Sequence, residues 1–198
     1  MKTHAPRLEL ELDTEGARRI MEIAYQVGAF AEGDFTLSSG VKSDRYFEGQ
    51  KVTLSPQGAY EVGKAIYDEL VKVGVDAVGG LAMGAYPIAV SVAMVSHMEG
   101  RPIPSFIVRE VPKEHGTRRE IEGGLKEGSR VAIVDDVITK GGSILKAIRA
   151  VEEANCKVVK VIVIVDRYEG GSDMLREKGY DFSPILGYRA PGEVTVEG

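Results

Sequence analysis

The sequence predicts an α/β fold with a central, mostly parallel sheet flanked by helices. Strand-like apolar runs alternate with helix-periodic stretches from residue 56 onward, the pattern of right-handed βαβ units. The run KVVKVIVIVD at 157–166 is almost continuously β-branched, as strands covered on both faces are. SPQGAYEVGKAIYDELVKVG carries both helix stop signs: Ser55 as N-cap with Pro56 behind it, and Gly74 as the terminator. With 198 residues, 43% hydrophobic and 28% charged, the chain suffices for one domain with a substantial core and leaves little room for long disorder.

Each element follows from its own pattern. Residues 13–27 place Ala17, Ile20, Ile23, Ala24 and Val27 on one helical face. FTLSSG at 35–40 reads as a short strand and turn. A helix at 56–73 is followed by a strand at 77–81, a helix at 86–98 and a strand at 104–109. The polar, glycine-containing stretch 110–127 reads as a mobile surface loop. Next come a strand at 130–135, a helix at 143–154, the strand 157–166, a helix at 171–178 and a last strand near 181–187. The first 50 or so residues are less regular and read as a small N-terminal lobe of a single domain spanning 1–198.

Composition excludes several function classes. A net charge of −5 and the lack of a basic stripe argue against a nucleic-acid partner. The lone Cys156 permits neither an intrachain disulfide nor a cysteine zinc cage, and suits a reducing cytoplasm. The opening MKTHAPRLELELDTEG is charged throughout and has no signal-like apolar core. Residues 77–96 hold no Asp, Glu, Lys or Arg, but Gly79, Gly80, Gly84 and Pro87 divide them into strand, loop and helix rather than a membrane span.

The stretch VAIVDDVITKGGS, 131–143, carries the chemistry. An apolar strand delivers two adjacent acids, Asp135 and Asp136, to its carboxyl end, where parallel sheets bind ligands. Gly141 and Gly142 allow positive φ and close backbone approach, and amides of the loop and first helical turn form an anion site. Thr139 and Ser143 add hydroxyl donors. The loop suits a phosphate and the acids suit a vicinal diol, so together they fit a ribose 5-phosphate. Neither GxxxxGK[ST] nor a strand-borne GxGxxG is present.

The same stretch closely resembles the phosphoribosyl-pyrophosphate (PRPP) signature of type I phosphoribosyltransferases. Across roughly residues 30–187 the chain resembles the orotate phosphoribosyltransferases. FTLSSGVKSDRYF (35–47), GGLAMGAYPIA (79–89), FIVREVPKEHGT (106–117), IEGGLKEGSRVAIVDDVITKGGS (121–143) and VDRYEGG (165–171) match in order and spacing. The resemblance implies the type I phosphoribosyltransferase fold and transfer of 5-phosphoribosyl from PRPP to orotate, giving orotidine 5′-phosphate and pyrophosphate.

It further implies roles for single residues. Asp135 and Asp136 would bind the ribose hydroxyls. The loop Val137, Ile138, Thr139, Lys140, Gly141, Gly142 and Ser143 would hold the 5-phosphate, with Thr139 also near the base. Arg109, Lys113 and His115 would contact the diphosphate from a loop that closes over it and reaches into a partner subunit's site, making the protein a homodimer. Lys113 and His115 stand with the acid pair as catalytic candidates. Tyr46, Phe47 and Arg167 would hold orotate, the arginine by a bidentate contact with its carboxylate. Mg2+ would be carried mainly by substrate oxygens, without a protein cage.

Three positions depart from the family pattern. Glu110 replaces the usual lysine after the arginine, a change of two charge units beside a polyanion: either Glu110 points away, or Lys140, Arg118 or Arg119 compensates, or activity is altered. Ser38 stands where some members carry lysine, and Tyr86 where close sequences carry aspartate. Two other readings share the PRPP loop: a transferase for another base, and a noncatalytic PRPP-binding regulator. The first lacks FTLSSG…RYF and VDR at these positions; the second meets an N-terminus with no helix-turn-helix pattern.

Overall fold

A computed structural model describes residues 8–10, 14–36, 42–110 and 120–188, with the backbone alone at 8–10, 31–36 and 42–45. The elements are β1 (Leu8–Leu10), α1 (Glu15–Gln26), β2 (Phe30–Thr36), β3 (Lys42–Phe47), α2 (Gly49–Thr53), α3 (Pro56–Val73), β4 (Ala77–Leu81) and α4 (Ala85–Met98). There follow β5 (Ser105–Val108), β6 (Ile121–Gly123), β7 (Arg130–Ile138), α5 (Gly142–Glu153), β8 (Lys157–Asp166), α6 (Gly171–Glu177) and β9 (Phe182–Tyr188).

The main sheet has the order β1-β9-β8-β7-β4-β5-β6. Its five inner strands are parallel, and β1 and β6 close the edges antiparallel. Side chains alternate along each inner strand. Ala132 and Val134 of β7 and Ile162 and Ile164 of β8 pack under α1, α3 and α4. Their neighbours Val131, Ile133, Val161 and Val163 pack under α5 and α6. This two-sided burial is why residues 161–165 of β8 are all apolar.

Caps fix the helices where the sequence places them. The Ser55 hydroxyl accepts the Gly58 amide at 3.0 Å, and Gly74 ends α3 at φ 72°. Thr14 caps α1 by accepting the Ala17 amide at 3.1 Å. The uncharged stretch 77–96 divides into β4, a loop and most of α4, and no helix among the described residues is long and apolar enough to cross a membrane.

The structure adds elements that the pattern hides. β2 and β3 form a separate antiparallel hairpin, with a register shift between Glu32 and Phe35. The second part of the 110–127 stretch is not loop: β6 pairs with β5, and Ile121 and Leu125 pack on the core beneath α5. Three residues paired at a sheet edge carry too little periodicity to be recognised in sequence.

From β4 the chain steps outward to β5, whereas from β7 it steps the other way to β8 and β9. The reversal lies between β4 and β7. A crevice opens there beyond the carboxyl ends of the strands, where open parallel sheets bind ligands.

Candidate active site

β7 delivers the acid pair into that crevice. The strand stays paired with β8 out to Ile138, three residues further than its apolar run suggests, while its pairing with β4 stops at Ile133. Asp135 and Asp136 therefore sit in extended backbone held on one edge only, beside a gap on the other. Beyond them Gly141 turns the chain at φ 76° and α5 begins at Gly142. Only Gly141 needs the left-handed conformation; Gly142 is the first helical residue. The first amides of α5 have no acceptor within the helix and remain available to an anion.

The acids are packed from two sides. A Cβ added at Gly49, the first residue of α2, would lie 2.6 Å from Asp136 Oδ2. One added at Gly84, just before α4, would lie 2.4 Å from Asp135 Oδ1 and 2.6 Å from Asp136 Oδ1. The two glycines thus let two helix starts close on the carboxylates. The Ser143 hydroxyl donates to Asp135 Oδ2 at 2.8 Å, and the Asp136 amide lies 3.0 Å from Asp135 Oδ1. Ser143 thus spends its hydroxyl on an acid, leaving its place at the start of α5 for the anion site.

Burial, then repulsion by Asp136, pushes the Asp135 carboxyl up to about 7. Burial also raises Asp136, against the pull of the Val137 amide. Close to neutrality the pair holds a proton that water would have removed. Sugar hydroxyls or a cation placed against the pair would favour its charged form and bind with gain. We expect Gly84→Ala to displace both carboxylates, costing about 1–3 kcal/mol of stability together with most of the PRPP affinity. Thermal melts and a PRPP titration measure the two losses separately.

The other predicted residues divide into groups. Tyr46, Phe47, Glu110, Asp135, Asp136, Val137, Thr139, Lys140, Gly141, Gly142, Ser143 and Arg167 line one cleft of about 870 Å³. Phe47 is buried among the core aromatics, 5.0 Å from Phe30 between ring centroids, and still forms cleft floor; Tyr46 is exposed at its side. Ile138 is buried beneath the loop rather than lining it. Arg109 turns to β6, where its Nε lies 3.0 Å from Glu122 Oε1, and is not among the cleft-lining residues. Lys113, His115, Arg118, Arg119 and Ser38 lie outside the described residues.

Arg167 is held rigidly at the opposite end from Glu110. Its amide donates to the Ile138 carbonyl at 3.1 Å, and Asp166 Oδ1 accepts the Tyr168 amide at 2.8 Å, fixing the turn. Its guanidinium pairs with Glu169 at 2.9 Å. The following Gly171 packs on the Thr139 carbonyl, where a Cβ would come within 2.4 Å. The arginine and the phosphate loop are consequently one unit.

Sequence reasoning missed Gln50 and Lys146 as cleft-lining residues. Leu81 and Ala82 lead into the cis Ala82–Met83 peptide of the β4–α4 loop. Lys146 Nζ hydrogen-bonds the main-chain oxygen of Glu110. Only the glycine-rich character of GGLAMGAYP hinted at the loop; the lysine, a turn into a helix, gave no local signal.

Known proteins agree with this geometry. The family model described as phosphoribosyl transferase domain matches residues 52–181. An orotate phosphoribosyltransferase of Aquifex aeolicus is 46% identical over 145 residues, covering 73% of this chain and 79% of that protein. One from Nostoc is 41% identical over 170 residues, covering 85% and 82%. Among solved structures, Mycobacterium tuberculosis orotate phosphoribosyltransferase in complex with PRPP superposes with a TM-score of 0.71 at 30% identity, over 87% of this chain and 96% of that one. Adenine phosphoribosyltransferase from Leishmania donovani, 14% identical, shares the fold at a TM-score of 0.62, covering 93% and 87%.

Proposed function

The chain belongs to the phosphoribosyltransferase family, within the orotate phosphoribosyltransferases, and from that premise we infer what its cleft does. It transfers the 5-phosphoribosyl group of PRPP to a ring nitrogen of orotate, releasing pyrophosphate and forming orotidine 5′-phosphate, a step of pyrimidine nucleotide synthesis. The observation that carries this is the single cleft joining the acid pair, the Gly141 loop and Arg167.

The roles follow from the chemistry of each group. The 5-phosphate docks on the loop 137–143 and the start of α5. The ribose hydroxyls donate to Asp135 and Asp136, adding to the donors that Ser143 and the Asp136 and Val137 amides already supply. As the bond to pyrophosphate stretches, positive charge grows on the sugar ring, and the carboxylates beneath it stabilise that charge. Arg167 orients orotate through its carboxylate, with Glu169 holding the guanidinium in place. Tyr46 and Phe47 flank the base. Lys113 and His115 are proposed to act on the diphosphate.

Mg2+ suits the donors present. Among the described residues no three His, Cys, Asp or Glu side chains gather into a metal cage. Two adjacent carboxylates suit an ion that keeps waters and substrate oxygens as its other ligands. Such an ion neutralises charge on the departing pyrophosphate. The lone, buried Cys156 supports a cytoplasmic location.

A homodimer is supported by one face of α4. Tyr86, Val90, Met94 and Met98 recur at helical spacing and are about half exposed or more, with Met83 beside them at 68%. Such a stripe suits an isologous twofold contact. Met94→Glu should shift the protein from dimer to monomer in sedimentation, and an unshifted dimer would remove α4 from the interface.

Base choice tests the functional reading. Orotate, uracil and hypoxanthine are offered with PRPP and Mg2+. Conversion of orotate alone is expected, because only orotate brings a carboxylate to Arg167. Preference for hypoxanthine would overturn the reading.

A further inference from the structure

We propose that Lys146 is a diphosphate-binding cation of this site, replacing the positive charge that Glu110 removes. The proposal rests on the phosphoribosyl-transfer reading above and adds a residue to it. Glu110 lines the cleft directly after β5. A carboxylate there opposes the docking of a diphosphate, so a compensating cation has to stand nearby.

Lys146 is the described residue placed to do this. It lies one turn into α5, which follows β7, and its Nζ reaches the main-chain oxygen of Glu110 beyond β5. β4 lies between those two strands in the sheet. A side chain spanning from one to the other crosses the carboxyl end of β4, and Lys146 lines the same cleft as Leu81, Ala82 and Gly84, the residues that follow β4 or end it.

The ammonium remains available to a ligand. It offers three N–H donors, and the Glu110 carbonyl is a neutral partner that uses one of them. Among the described residues it makes no ion pair with a carboxylate. The alternatives are engaged or placed elsewhere. Arg109 pairs with Glu122 away from the cleft, and Arg167 pairs with Glu169 at the base end. Lys140 lies within the 5-phosphate loop. Since charge accumulates on pyrophosphate as it departs, an ammonium at this wall favours the transition state as well as PRPP binding.

The test uses the full-length protein and inorganic pyrophosphate with Mg2+ as probe. Calorimetry on wild type, Lys146→Ala and Lys146→Arg is followed by steady-state kinetics with both substrates. Lys146→Ala should weaken pyrophosphate and raise the KM for PRPP by roughly tenfold, the worth of one charge-assisted hydrogen bond. The KM for orotate should move less than about twofold, and Lys146→Arg should recover most of the loss. In the Lys146→Ala background, Glu110→Lys should restore pyrophosphate affinity by returning a cation to the same wall.

Unchanged pyrophosphate affinity in Lys146→Ala would overturn the proposal, and so would an equal rise in both KM values. The readouts also separate the two levels of inference. A wild type that binds pyrophosphate but leaves orotate untouched defeats the transfer reading. A fully active Lys146→Ala variant defeats only the role of Lys146.

Discussion

Asp135→Asn and Asp136→Asn are each expected to lower kcat/KM by roughly 100- to 1000-fold while leaving the protein at least as stable as wild type near pH 8. A buried and a half-buried carboxylate side by side are costly to the fold. Because burial and the neighbouring charge raise Asp135 to about 7, the native state holds a proton over the interval from the unfolded value of 3.8 up to that point. In that interval the native state binds more protons than the unfolded chain, so stability falls as pH rises. Below pH 4 both states are protonated and the contribution is level. Above about pH 7 the penalty is fully developed. Asn at either position removes the paired charge and should flatten the decline between pH 4 and pH 7, a gain of about 1–3 kcal/mol at the upper end. Thermal melts across that range, beside kinetics at pH 8, check both halves. A variant that loses activity and stability together would show that the carboxylates serve the fold instead.

Arg167→Ala is expected to raise the KM for orotate by roughly 100-fold, the worth of a buried bidentate charge contact of about 3 kcal/mol, with the KM for PRPP changing less than about threefold. The separation is geometric. Arg167 and the phosphate loop are adjacent but joined through backbone contacts, the Arg167 amide to Ile138 and the Gly171 amide to Thr139. Truncating the side chain leaves those contacts in place. Lys at 167 keeps the charge but loses the planar fork and should recover only part of the loss. Parallel increases for both substrates would mean that the arginine braces the loop rather than reads the base.

The legible part of this protein was the part written locally. Residues 157–166 could be identified as a doubly covered strand because almost every side chain is β-branched and apolar. The bounds of α3 were readable because Ser55 and Gly74 satisfy the helix ends themselves. The acid pair and the Gly141 turn belong to one continuous stretch, so their order alone implied a ribose phosphate. What depends on distant segments meeting was not readable. Nothing near Gly49 or Gly84 says that each must lack a Cβ to make room for carboxylates some 50 to 90 positions away. Lys146 resembles any exposed helix lysine until the Glu110 carbonyl is seen beside it. The cations that the sequence offers beside Glu110 are Lys140, Arg118 and Arg119; that Lys146 meets the Glu110 main-chain oxygen is a property of the fold alone. The hairpin β2–β3 and the edge strand β6 escaped because short, polar strands derive their pairing from the partner strand rather than from periodicity. The place of Ser143 in the loop suggests a phosphate donor; in the fold its hydroxyl is turned to Asp135.

The measurement that tests the central claim most directly is a time course of orotate absorbance with purified protein, omitting PRPP or Mg2+ in turn, with pyrophosphate quantified in parallel. The account predicts orotate loss only when both are present, with one pyrophosphate released for each orotate consumed. Persistence of orotate in the complete mixture, by a protein that still binds PRPP, would contradict it and show that the cleft recognises the sugar phosphate without transferring it.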